Sequence, residues 1–267
     1  MDLVYSLQRE QVPIIATAVH QGHRLAVPLL DYMHLQEHER FREEDPYTGY
    51  MVENLPVSRV IVDTSRFQTD LNRRREQAIY RRPEDAWGLT VWKPVLPELM
   101  VDRLLEGYDR FYVDIDQLLQ WTLALFGKFV VLDIHSYNHR RVHPNEAASV
   151  GENPEINIGT GHNHEKWKSL GHCLTSFMGH CRIKGRFLDV RENIKFKGGG
   201  FSEWINRNYG EYGCVFSLEF KKTFMDEWTG WVDIAYLNQI RSMLAGCIPF
   251  LLHMLDTPIK SSFLHGH

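Results

Sequence analysis

The chain has 267 residues, 43% of them hydrophobic and 12% aromatic, enough to bury one sizeable core. Its 30 basic and 34 acidic residues are interspersed and leave a net charge of -4, which argues against a general binder of nucleic-acid phosphates. No run of about 18 apolar residues occurs, and the N-terminal stretch lacks a basic region followed by an unbroken apolar one, so neither a membrane nor a secretory route is expected.

Four cysteines, Cys173, Cys181, Cys214 and Cys247, are scattered without C-x-x-C spacing. They read as reduced thiols of a cytoplasmic protein, not as a disulfide framework or a thiolate zinc knot. Of the 14 histidines, His253, His265 and His267 fall in or near a C-terminus that is expected to fray.

In chain order, short runs rich in β-branched residues at 13–19 and 59–64 read as buried strands bounded by turn formers. After Pro97, apolar side chains at Val101, Leu104, Leu105, Tyr108, Phe111, Tyr112, Ile115, Leu118 and Leu119 recur with helical spacing and predict one long amphipathic helix. Further strands are expected at 129–134 and 213–220, and further helices at 165–180, 201–208 and 231–254. No repeat or flexible linker interrupts the chain. This order predicts one α/β domain over 1–267: a mixed, mostly parallel sheet covered on both faces, hence a three-layer α/β/α sandwich.

Ligands of such sheets gather outside the carboxyl ends of the strands. His20 directly follows the first apolar run, with His23 three residues later, and an imidazole there suits a metal if partners arrive from elsewhere. Beyond the second run, the Asn72–Arg73 pair followed by a further arginine offers donors fitted to a carboxylate, although a solvated basic helix start accounts for the same residues. The third run ends in VVLDIHSYNHRR, where strand alternation puts Asp133 and His135 on one side, ahead of Ser136; one can bind a metal while the other orients a neighbour. In the fourth, Glu219 falls among apolar strand residues, where a carboxylate is costly unless it is ion-paired or serves chemistry.

His20 after a strand, EED at 43–45, DLNR at 70–73, DIHS at 133–136, NIKFKGG at 193–199, NYG at 208–210 and LEFKKTFMDE at 218–227 together resemble, in order, the N-formylglutamate amidohydrolase family. The resemblance spans about residues 13 to 227. It extends to the zinc carboxypeptidase and aspartoacylase group and implies that group's phosphorylase/hydrolase-like α/β/α fold. It also implies a hydrolase with one zinc per chain. By position, His20 and His135 resemble two zinc ligands and Glu219 the catalytic glutamate. Asn72 and Arg73 resemble the pair gripping a substrate carboxylate, and Arg66 a group that polarises the scissile carbonyl. The carboxypeptidase pattern has a glutamate where this chain has His23. The family's acidic pair makes Glu44 the expected third ligand, with Asp45 and His23 as rivals.

The expected function is hydrolysis of a small, carboxylate-bearing N-acyl amino acid, an N-formyl one included. A carboxypeptidase or peptidoglycan-type amidase is the alternative within the same chemistry, and a non-catalytic ligand binder the alternative outside it. Pocket openness separates the first two readings: residues 145–165 and 195–205 should close over the cleft if the ligand is small, but leave a groove if it is a peptide. His139, His143, His162 and His164 are expected as pocket or surface groups. The glycines of KFKGGGFSEW read equally as an anion nest or as a turn of close approach.

Overall fold

The computed structural model describes residues 1–256. The strands are β1 (Tyr5–Gln8), β2 (Ile14–Ala18), β3 (Ser58–Val62), β4 (Phe129–Tyr137), β5 (Ile156–Gly159), β6 (Arg182–Ile183), β7 (Arg186–Phe187), β8 (Val190–Glu192) and β9 (Gly213–Lys221). Seven of them form one sheet in the order β1-β3-β2-β4-β9-β5-β8, and β6 and β7 make a separate hairpin. Strands β3, β2, β4 and β9 are parallel, so their carboxyl ends lie along one edge. Antiparallel pairing of β1 with β3 and of β5 with β9 makes the sheet mixed.

The helices are α1 (Glu37–Glu43), α2 (Thr48–Val52), α3 (Glu98–Phe126), α4 (Lys168–Gly179), α5 (Gly200–Tyr209) and α6 (Ile234–Asp256). Alternation along the strands divides the core in two. Ile14, Ala16, Val130, Leu132, Ile134, Phe216 and Leu218 pack with α2, α4 and α6, whereas Ile15, Phe129, Val131 and Val215 pack with α3 and α5. The result is the expected three-layer sandwich with helices on both sides of the sheet. Helix α3 follows Pro97 and stops at Gly127, whose left-handed φ of 69° suits a residue without Cβ. Its buried stripe contains Val101, Leu104, Tyr108, Phe111, Tyr112, Ile115, Leu118 and Leu119, each large side chain contributing roughly 1.5–3 kcal/mol.

All four expected strands and the four expected helical segments are present with shifted ends. Residues 165–167 form a tighter 3-10 turn before α4. Helix α6 starts at Ile234 because Asp233 accepts the Tyr236 N–H at 2.9 Å in the manner of an N-cap. His253 lies inside α6, and His265 and His267 lie outside the described residues. The four cysteines are free. No described helix is long and apolar enough to cross a membrane.

Candidate active site

On the face covered by α3 and α5, the three central parallel strands begin apolar and end polar. Ile15, Phe129, Val131 and Val215 lie under the helices. Farther along the same face come Thr17 on β2, Asp133 and His135 on β4, and Ser217 and Glu219 on β9. The ladder aligns them: Thr17 pairs with Asp133, Asp133 with Ser217, and His135 with Glu219. Thr17 Oγ1 donates to Asp133 Oδ1 at 2.6 Å. The run that looks built for a core therefore serves the core with its first half and a cleft with its second.

His20 lies two residues beyond β2, in a turn completed by Gly22. A Cβ on Gly22 would stand 2.2 Å from the Asp63 carbonyl carbon, so the close approach requires glycine. The rings of His20 and His135 face edge to face, 5.0 Å apart at 66°. Each Nε2 is tied to a buried carboxylate: His20 to Asp70 Oδ1 at 2.7 Å and His135 to Asp133 Oδ2 at 2.9 Å. Both Nδ1 atoms turn towards Asp45 Oδ2, at 3.6 Å and 2.9 Å. Asp45 is itself fixed, because its N–H donates to the His20 carbonyl and its own carbonyl accepts the Thr48 hydroxyl.

This wiring has an electrostatic consequence. With Asp70 and Asp133 as acceptors at Nε2, both Nδ1 atoms face the Asp45 carboxylate oxygen, and such a group calls for a proton or a cation between its members. Burial opposes protonation of His135, but the neighbouring Asp133 and Asp45 outweigh it and raise the pKa well above the ordinary value. Burial likewise pushes the Asp45 pKa up, and the hydrogen-bonded imidazoles overcome it and hold that carboxyl below the usual range. Donor atoms of His20, Asp45 and His135 all lie within 4.8 Å of one another. Two imidazole nitrogens and one carboxylate oxygen are a donor set suited to a catalytic zinc ion.

The expectation that Glu44 joins the two histidines is corrected. Its carboxylate is held by His23 Nδ1 at 2.5 Å and by the Ser65 hydroxyl, with Arg40 at 3.7 Å. Helix α1 ends at Glu44 in extended conformation, so consecutive side chains diverge and Asp45 alone points between the imidazoles. His23 serves Glu44 and is likewise outside the trio. Lys222, 1% exposed, pins this corner by donating to the carbonyls of Arg42 and Glu44 at 2.6 Å and 2.7 Å. Burial lowers its pKa to about 8.

A cleft of about 500 Å³ opens beside the trio and is lined by Arg66, Asn72, Ser136 and Glu219 among the expected residues. Arg66 is set by Asp70 at 2.8 Å and by the Tyr80 hydroxyl at 3.0 Å. Burial raises the Glu219 pKa to about 8 although His135 draws it down. Arg73 does not line the cleft. Its guanidinium reaches the Asp85 carbonyl at 2.6 Å and Asp70 at 3.4 Å, over the Tyr80 ring. His139, His143, His162 and His164 are also absent from the lining.

Sequence reasoning missed Trp87, Arg141, Lys195, Lys197 and Lys222 in the cleft wall. Arg141 ends the VVLDIHSYNHRR stretch and the two lysines precede the glycines, so proximity to recognised motifs was the available signal. The glycine run is a close approach. A Cβ on Gly199 would stand 2.3 Å from the Asn72 side chain, and one on Gly200 2.6 Å from the Arg73 carbonyl carbon. Asn72 is locked there by accepting the N–H groups of Gly200 and Phe201.

Comparison with known proteins agrees with this architecture. The structure resembles that of an N-formylglutamate amidohydrolase from Ralstonia eutropha JMP134, with a TM-score of 0.76 and 15% identity over 94% of this chain and 97% of that one. It resembles a gene product of Agrobacterium tumefaciens with a TM-score of 0.65 and 16% identity over 96% of both chains. No protein of curated function matches the sequence significantly. Residues 12–225 match the sequence family described as N-formylglutamate amidohydrolase, and the chain therefore belongs to that family of amide-bond hydrolases.

Proposed function

We propose that the protein cleaves the amide bond of a small N-acyl amino acid, N-formyl amino acids included, with one zinc ion held by His20, Asp45 and His135. The observation that carries this reading is the convergence of His20, Asp45 and His135 at the cleft that Glu219 also lines. Bound zinc supplies Lewis acidity towards the scissile carbonyl and makes water more acidic. Glu219 takes the proton of the attacking water and returns it to the leaving nitrogen, and its raised pKa makes it a stronger base than a free carboxylate. Arg66, held in place by Asp70 and Tyr80, offers its guanidinium to the carbonyl oxygen as negative charge develops. The Asn72 amide orients the substrate in the cleft. Residues 195–199 line the cavity and residues 145–165 do not. A cleft of about 500 Å³ accommodates a compact acylated amino acid.

Metal analysis combined with turnover tests the reading. Purified protein should contain about one zinc per chain, lose it when His20 and His135 are both changed to alanine, and hydrolyse N-acyl amino acids in preference to peptides. Protein that neither retains nor takes up zinc would sink the zinc mechanism, and a preference for peptides would favour the carboxypeptidase-like alternative.

A further inference from the structure

We infer that the substrate's carboxylate is recognised by Lys195 and Arg141 in the cleft wall, and not by Arg73; the inference rests on the proposed N-acyl amino acid substrate. Arg73 spends its guanidinium on Asp85, Asp70 and Tyr80 outside the cleft lining. Among the cleft cations, Arg66 is paired with Asp70, and Lys222 gives two N–H groups to backbone carbonyls. Lys195 and Lys197 have no ion-pair partner among the described residues, and of the two Lys195 is the one held in place, its Nζ donating to the neutral Asn153 Oδ1 at 2.6 Å and lying over the Tyr137 and Phe196 rings. Arg141 is anchored at one end by Glu43 at 2.6 Å, and its guanidinium carbon lies 5.3 Å from the centre of the Trp87 ring.

Two further observations point to an anion here. Burial first, then repulsion by Arg141, lowers the Lys195 pKa, and a negative charge beside the two cations acts in the opposite sense. Ser136 lines the same cleft at 5% exposure, and its hydroxyl is a donor with no hydrogen-bond partner. Glu219 is close enough to act on the charge of Lys195, which keeps a substrate anchored there within the field of the proposed base.

The experiment uses zinc-supplemented Glu219→Gln protein, with N-formyl-L-glutamate and its diamide as probes, read by titration calorimetry. The diacid should bind at least about tenfold more tightly than the diamide. Adding Lys195→Met or Arg141→Met should weaken the diacid about tenfold and leave the diamide unchanged. Failure of the diacid to bind, equal losses for both probes, or a preference that survives both substitutions would overturn the inference. Turnover by the wild-type protein is measured separately. Selective, Lys195- and Arg141-dependent binding without hydrolysis of any N-acyl amino acid upholds the recognition site and counts against the proposed function. Hydrolysis without acid preference upholds the function and overturns the recognition site.

Discussion

Glu219 lies directly across the β4–β9 ladder from His135, and among the described residues it has no ion-pair partner. A purely structural role would require one, because burial of a carboxyl without a partner costs stability. Changing Glu219 to glutamine should therefore preserve the fold and the metal content while lowering turnover by roughly two to four orders of magnitude. A variant that unfolds, or that retains wild-type turnover, would show the side chain to be structural; circular dichroism, metal analysis and initial rates decide. The neighbourhood of His20, His135 and Glu219 was legible because each polar residue interrupts or ends an apolar strand. The choice between Glu44 and Asp45 was not. It depends on the extended backbone at the end of α1 and on Ser65 and His23 capturing the first carboxylate. Arg73 shows the same limit: residue type announces an anion-binding fork, and only the tertiary contacts show that its guanidinium meets Asp85, Asp70 and Tyr80.

The elements visible in the sequence are those whose pattern extends over many residues or stays apolar throughout, such as α3 and the central strands. Strand β1 has four residues of alternating half-exposure at the sheet edge, and α2 has only five residues, too few for periodicity to stand out. Strands β5 and β8 have four and three residues and owe their pairing to β9 and to each other. The glycine run shows how a loop feature becomes an element-level constraint. Gly200 begins α5 with its missing Cβ against the Arg73 backbone, so Gly200→Ala should push the start of α5 away from Asn72. The expected cost is about 1–3 kcal/mol, with a larger proportional loss in kcat/KM because Asn72 loses its anchor. Gly179 at the end of α4 provides the contrast: a Cβ there meets nothing within 4 Å, and Gly179→Ala should be neutral or stabilising by about 0.4–1 kcal/mol. Equal effects of the two changes, measured by denaturant unfolding and initial rates, would refute the close-approach reading.

At the scale of the molecule, the order of strands and helices made the sandwich legible. The antiparallel strands flanking its parallel centre were not, because pairing direction is set by connections and partners. The proposed metal site joins three distant segments of this frame: the turn after β2, the link between α1 and α2, and the carboxyl half of β4. Asp45, Asp70 and Asp133 are all at most 3% exposed, so negative charge accumulates where water cannot screen it, with the imidazoles as the main relief and Arg66 compensating Asp70. A cation held by the trio would both satisfy that charge and cross-link the segments. A ligand that binds only the folded state stabilises it by about 4 kcal/mol at a thousandfold excess over its Kd, which for a chain of this size corresponds to a Tm increase on the order of 10 °C. Zinc added to chelator-treated protein should produce such an increase in the wild type, whereas the His20→Ala and His135→Ala double variant should show little. Glu44→Gln should retain most of the shift, since its carboxylate serves His23, Ser65 and Arg40. A wild-type Tm indifferent to zinc would refute the three-segment site, and a shift abolished by Glu44→Gln but not by Asp45→Asn would restore Glu44 as the ligand.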